Sequence, residues 1–259
     1  MLNKLNNMVR KVLRKFLRRS YPLLFTYMCS YIVDPSNGSL SKIKRNFIEL
    51  MPLCDYKRRY MKVNFSERIV EIPFVLQNIP HDKNIRILKI GCSDSPIFMH
   101  LLNLGYQVTG VSLDDCQFSH PNFKFYKKNF FDCDFKENSF DVIILLSTIE
   151  HVGLNVYGNK LIDDEGDIKL MEAAYKTLKP GGIVILTTPY GHYGVRETYR
   201  VYDEKRLNKL LASFISESCD YYKREKCLYY QPARKEEIDN IESTKGGGIQ
   251  GLVCVIARK

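Results

Sequence analysis

From residue 85 to the carboxyl terminus, short apolar runs bounded by turn residues alternate with stretches whose apolar positions recur at helical spacing. Residues 85–90 (Ile-Arg-Ile-Leu-Lys-Ile) predict a strand, closed by a turn over 91–96, and residues 97–104 predict a helix ended by Gly105. Strands follow at 106–111 and 123–126. The nearly unbroken apolar run at 140–146 is the pattern of a central strand buried on both faces. A helix over 166–178 stops at Lys179-Pro180-Gly181-Gly182, a strand follows at 183–187, a helix at 203–211, and strands at 214–222 and 252–257.

The first 84 residues are patterned differently. On a helical wheel, Leu2, Leu5, Val9, Val12, Leu13 and Phe16 share one narrow arc, and the basic side chains lie opposite. A mainly apolar stretch, 21–33, is entered through Pro22, and the turn-rich residues 34–41 read as a linker. Residues 67–79 predict a helix with Asn64 or Ser66 as its cap, kinked at Pro73 and ended at Pro80. The division this suggests is a basic amphipathic extension with linker (1–41), a helical lead-in (42–84) and an α/β domain (85–259).

Composition narrows the class. With 259 residues, 45% of them hydrophobic, 17 Tyr and 14 Phe, the chain has material for one sizeable core and is not globally disordered. Eight cysteines show no C-x-x-C pair and no Cys/His grouping at zinc spacing, so reduced thiols in a cytoplasmic protein are expected, with no metal. The formal net charge of +10 suggests nucleic acid at first, but seven basic residues and no acidic one fall within residues 1–33, which leaves the rest only mildly basic. Three readings of that arm stay open: a helix packed on the body, an interfacial anchor on an anionic membrane surface, and a signal peptide or nucleic-acid contact. The expected location is cytoplasmic, with a peripheral position on the inner face of the membrane through the arm.

Strand and helix in near alternation predict a doubly wound, mostly parallel sheet. Such a sheet binds ligands outside the carboxyl ends of its strands, here residues 91–95, 112–115, 129–132, 147–153 and 188–192.

Several segments in order, ILKIGCSDS, YQVTGVS, NSFDVIILLSTIEHVG and LKPGGIVILTTP, resemble class I S-adenosylmethionine-dependent methyltransferases, whose fold is Rossmann-like. More narrowly, STIEHVGLNVYGN, the run to TTPYG and Tyr199-Arg200-Val201-Tyr202 resemble methyltransferase-like proteins of bacterial and archaeal surface-glycan gene sets. The resemblance implies S-adenosyl-L-methionine as cofactor, bound by Gly91, Cys92 and Ser93 of the first loop, by Ser112 and Leu113 after the second strand, by Asn129 and Phe130 after the third, and by Ser147 after the fourth. Departures from the family pattern are concentrated there. Ser93 and Ser95 stand at glycine positions, Lys89 at the first-strand acid, Ser112 at the ribose acid and Asn129 at the adenine acid. Asp114 or Asp115 is a substitute for the ribose contact, and the Asn129 side-chain oxygen for the adenine contact.

Methyl transfer to a hydroxyl requires alignment and a base. His151, after the fourth strand, is the candidate general base, and Glu150 the residue that orients it or binds the acceptor. Tyr190, His192, Arg196 and Arg200, interleaved with Tyr193, Tyr199 and Tyr202, suit a phosphate or carboxylate and a sugar or nucleobase face, and with the resemblance to glycan-set proteins they imply a sugar-containing or phosphorylated glycan precursor. A catalytically idle Rossmann-like binding or scaffold module is the first alternative, motivated by the altered acids. An RNA methyltransferase is the second, although the Asn/Asp-Pro-Pro-aromatic loop of base methyltransferases is missing after strand four, and no specific nucleic acid is expected.

Overall fold

Central strands form where apolar residues occupy both faces of the pleat. In the computed structural model, β1 (Arg86–Ile90), β4 (Phe140–Leu146) and β5 (Leu178–Pro189) lie side by side and are almost wholly buried. With β2 (Gln107–Ser112), β3 (Phe123–Lys127), β8 (Ile215–Glu225), β9 (Tyr229–Ala233) and β10 (Gly251–Arg258) they make one eight-stranded sheet in the order β3-β2-β1-β4-β5-β10-β8-β9. The structure describes residues 66–92, 96–116, 118–156, 162–225, 229–241 and 249–259. They lie in one compact unit, residues 64–259. The basic arm, the linker, the boundary at residue 41 and Ser93 fall outside the described residues.

Pairing is parallel from β3 through β5 and antiparallel from β5 to β10, β10 to β8 and β8 to β9. Alternation of side chains along each strand feeds two cores. On β4, Val142, Ile144 and Leu146 face the core shared with α1 (Arg68–Asn78) and α2 (Ile97–Asn103), whereas Ile143 and Leu145 face the core shared with α3 (Gly166–Thr177) and α4 (Glu204–Leu210). The helix α1 runs continuously through Pro73 and ends at the extended Ile79 before Pro80, and the Ser66 hydroxyl accepts the Arg68 N–H at 3.2 Å. Its Phe74 and Val75 are buried against the sheet.

The Lys179–Gly182 turn expected between helix and strand belongs to β5: Leu178 pairs with Phe140, a register shift follows, and Ile183 pairs with Val142. A short hairpin of β6 (Gly194–Val195) and β7 (Arg200–Val201) and the short helix α5 (Lys235–Ile238) complete the described elements. No described helix is long and apolar enough to cross a membrane.

Candidate functional site

The carboxyl ends of β1, β2 and β4, with the segment after β3, open on one cavity of about 450 Å³, the size of a small-molecule site. Its wall at the β1 end is Arg68, Ile90, Gly91, Leu146, Ser147 and Thr148. Gly91 has φ +73°, and a Cβ there would stand 2.6 Å from the Thr148 hydroxyl oxygen. Thr148 in turn donates to Leu146 O (3.0 Å) and reaches Ile90 O (3.3 Å), tying the ends of β1 and β4 together. Gly91→Ala is therefore expected to cost about 1–3 kcal/mol of stability through left-handed strain and displacement of Thr148. Urea denaturation measures this, and an unchanged midpoint would contradict it.

Beneath that wall lies a network that starts on α1. Glu71 is fully buried; its Oε2 accepts from the Arg68 guanidinium at 2.5 Å, and its Oε1 accepts from the hydroxyls of Ser147 and Thr187, each at 2.5 Å. Burial raises the Glu71 pKa, while Arg68 and the two hydroxyls oppose the rise. Ser147 sits at φ +41°, a conformation that costs a non-glycine residue of the order of 1–2 kcal/mol, and the bond to Glu71 helps fix it there. Lys89, also fully buried, donates to Ile90 O at 2.7 Å and Gly91 O at 2.6 Å. Desolvation lowers its pKa to about 8.

The other end has a different chemistry. Ser112, Leu113 and Asp114 follow β2, and Asn129, Phe130 and Asp132 follow β3. Leu113 and Phe130 supply apolar surface, and Ser112 and the exposed Asp114 supply oxygen atoms. The Asn129 side-chain oxygen accepts the Phe131 N–H at 3.2 Å and caps a single turn, Phe130–Asp132. Its part toward a ligand therefore shifts to the amide N–H donors. Asp115 does not line the cavity and stands 3.9 Å from the Lys127 ammonium.

His151 lines the cavity beyond β4, in the turn Ile149–His151. Its Nδ1 lies 2.5 Å from the carbonyl oxygen of Thr198 in the β6–β7 hairpin. A carbonyl only accepts, so Nδ1 carries a proton, and in the neutral ring the lone pair is on Nε2.

Six of the expected site residues, Glu150, Cys92, Tyr190, His192, Arg196 and Arg200, do not line the cavity. Glu150 does not orient His151, since its Oε1 is 3.9 Å from Nε2, and the Thr198 carbonyl holds the ring instead. Nor does Glu150 line the cavity: it is 1% exposed, its Oε2 has no hydrogen-bond partner among the described residues, and burial drives its pKa well up. The Cys92 side chain is buried, with Sγ donating to Lys89 O, and burial pushes its thiol to about 11. Tyr190 is buried with its hydroxyl donating to Asp239 at 2.9 Å. Arg200, 1% exposed, donates to the carbonyls of Val152 and Asp163, with Asp164 O at 3.5 Å, and so clasps the neck of the segment after β4 rather than meeting substrate. His192 and Arg196 are exposed and do not line the cavity. Arg68 and Glu71 join the site from outside the strand ends; a carboxylate three and four positions before the buried Phe74 and Val75 is the signal the sequence carries for them.

Five strands in the order β3-β2-β1-β4-β5, continued by a reversed β10 and by β8, with a cavity at their carboxyl ends, decide the architecture. The chain has the class I methyltransferase fold. Solved relatives in fold include a SAM-dependent methyltransferase of Methanosarcina mazei, 18% identical, with 72% of this chain and 97% of that one covered at a TM-score of 0.51. They also include the N-methyltransferase NodS of Bradyrhizobium japonicum in complex with S-adenosylhomocysteine (15%, 77% and 90%, 0.53). The [4+2]-cyclase SpnF aligns equally well (15%, 73% and 79%, 0.52), so on the class I methyltransferase fold the chemistry has to be argued from the site. The family described as Caenorhabditis protein of unknown function, DUF268, matches residues 124–241, from β3 past α5. No curated protein matches the sequence.

Proposed function

We propose that the cavity binds S-adenosyl-L-methionine and that the protein transfers its methyl group to a hydroxyl of a sugar-containing or phosphorylated glycan precursor, with His151 as general base. The observation that carries the cofactor is the two-ended cavity at the strand termini. The apolar Leu113–Phe130 end with the Asn129 amide suits a purine, Ser112 and Asp114 suit ribose hydroxyls, and the Arg68 end suits an amino-acid tail. Fold relatives that carry S-adenosylhomocysteine, among them NodS and a Burkholderia thailandensis N1-methyltransferase, support the same assignment. When bound, the cofactor supplies an activated methyl group. The chain's own part is to align the acceptor and, at Nε2 of His151, to take the hydroxyl proton. What supports a glycan acceptor is the sequence resemblance, together with the exposed His192, Tyr193 and Arg196 around the hairpin that holds His151. Calorimetric titration with S-adenosylmethionine tests the reading. Saturable binding is expected, and none at millimolar cofactor would overturn it.

The altered acid positions favour one other reading, a ligand-binding module without methyl transfer. Cofactor binding without conversion of cofactor across a panel of nucleotide sugars and lipid-linked glycans would favour it. For the arm, residues 1–33, we propose peripheral attachment to the inner, anionic membrane surface of the cytoplasm. Flotation with anionic liposomes should be stronger for the full chain than for a chain starting at Ser36, and equal flotation would refute the attachment.

A further inference from the structure

We propose that Arg200, which does not line the cavity, is a positioning residue for His151: it docks the β6–β7 hairpin on the turn after β4, so that the Thr198 carbonyl keeps the imidazole proton on Nδ1 and leaves Nε2 basic. This rests on the reading of His151 as the base and adds the residue that sets its tautomer.

A neutral imidazole carries its proton on either nitrogen, and the partner of one nitrogen decides the role of the other. At His151 the partner of Nδ1 is a backbone carbonyl, Thr198 O at 2.5 Å. Glu150 Oε1, 3.9 Å from Nε2, is too distant to fix a proton there. Thr198 is exposed, so water competes for both members of the bond, and the bond holds the ring only where the carbonyl itself is held in place. The position of Thr198 therefore decides the tautomer.

That position is fixed from two sides. Within the hairpin, Val195 pairs with Arg200 and the Arg196 N–H donates to Tyr199 O at 2.8 Å, so Thr198 stands in a tight turn two residues before Arg200. Across from it, Arg200 Nη1 donates to the carbonyl of Val152, the residue after His151, and Nη2 donates to Asp163 O at 3.3 Å. One guanidinium thus joins the strand next to Thr198 to the backbone next to His151, and its planar fork sets the angle between them as well as the spacing. The base of the hairpin is tied elsewhere: the Tyr202 N–H donates to Pro189 O at 2.9 Å, and the Tyr202 hydroxyl donates to Asp167 at 2.9 Å. Closing the neck of the segment after β4 does not require Arg200, because the Asp163 N–H donates to Gly153 O and the Gly166 N–H to Asp163 O, each at 2.9 Å. Arg200 is 1% exposed, and burying a guanidinium against carbonyls is costly in desolvation; its effect is the alignment of two segments 48 positions apart in the chain.

The test is nitrogen-15 NMR of the full chain labelled on its five histidines, at about pH 8.5, where an ordinary histidine ring is neutral. His151 is assigned by the loss of its signals in His151→Gln. The ring shifts report which nitrogen carries the proton, with neither substrate nor cofactor present. In the wild type the Nδ1–H form of His151 should exceed the Nε2–H form by about tenfold. Arg200→Lys, which keeps a cation but not the fork, should lower that ratio by about fivefold, and Arg200→Met should lower it further. The signals of His81, His100 and His120 should stay in place in both variants. A wild-type His151 protonated on Nε2, a ratio unchanged in Arg200→Lys, or a loss accompanied by equal changes at His81, His100 and His120 would overturn the proposal. If Arg200→Met does not fold, Arg200→Lys decides by itself. The base reading fails separately, on unchanged turnover of His151→Ala, whatever the tautomer.

Discussion

His151→Ala is expected to lower methyl-transfer turnover by about two to four powers of ten, the usual contribution of a positioned base, while S-adenosylhomocysteine affinity stays within about twofold. The reason is the division of labour in the cavity. His151 follows β4, and its ring is fixed by the Thr198 carbonyl of a separate hairpin. Removing the imidazole leaves the contacts at Gly91, Leu113 and Phe130 in place. Single-turnover kinetics with parallel calorimetry separates the outcomes. Equal loss of turnover and affinity would move His151 into the binding shell, and unchanged turnover would mean that the acceptor needs no base.

Arg206→Ala should be strongly destabilising. Asp167, at the start of α3, has a fully buried side chain, and Arg206 of α4 donates to it from Nε at 3.2 Å and from Nη2 at 2.5 Å. The Tyr202 hydroxyl (2.9 Å) and the Ile168 N–H (2.9 Å) complete its partners. Burial, with the Asp167 charge beside it, raises the Tyr202 pKa well above its ordinary value, so that hydroxyl stays a donor. Truncating Arg206 leaves a buried carboxylate without its counter-charge, a loss of about 3–5 kcal/mol, or roughly 6–20 °C in melting temperature for a unit of this size. Asp167→Leu in the same chain should recover part of that loss, because the orphaned charge is then gone. A melting temperature within 2 °C of wild type, roughly the shift that 1 kcal/mol produces, would show that the pair is not coupled as described.

The sheet was legible because its central strands are apolar on both faces. The runs at 85–90, 140–146 and 252–257 fall on β1, β4 and β10 to within a residue. Less visible were elements whose pattern is too short to register, such as the two-residue strands of the β6–β7 hairpin, and the register shift that absorbs Gly181 and Gly182 into β5. The site divided in the same way. Gly91, Ser112, Leu113, Asn129, Phe130, Ser147 and His151 sit at strand ends, where topology alone directs attention, and all seven line the cavity. Arg68 and Glu71 were hidden because their partners lie far along the chain, at Ser147 and Thr187, and in sequence they look like ordinary solvated charges of an amphipathic helix. Arg200 and Tyr190 misled for the converse reason: residue types that suit a sugar or phosphate serve equally to satisfy buried carbonyls and carboxylates.

A crystal structure of the protein with S-adenosylhomocysteine tests the central claim most directly. The purine is expected between Leu113 and Phe130 near the Asn129 amide, the ribose at Ser112 and Asp114, and the sulfur on the path from Gly91 to His151. A ligand bound outside this cavity, or lying in it with its purine at Arg68, would contradict the account.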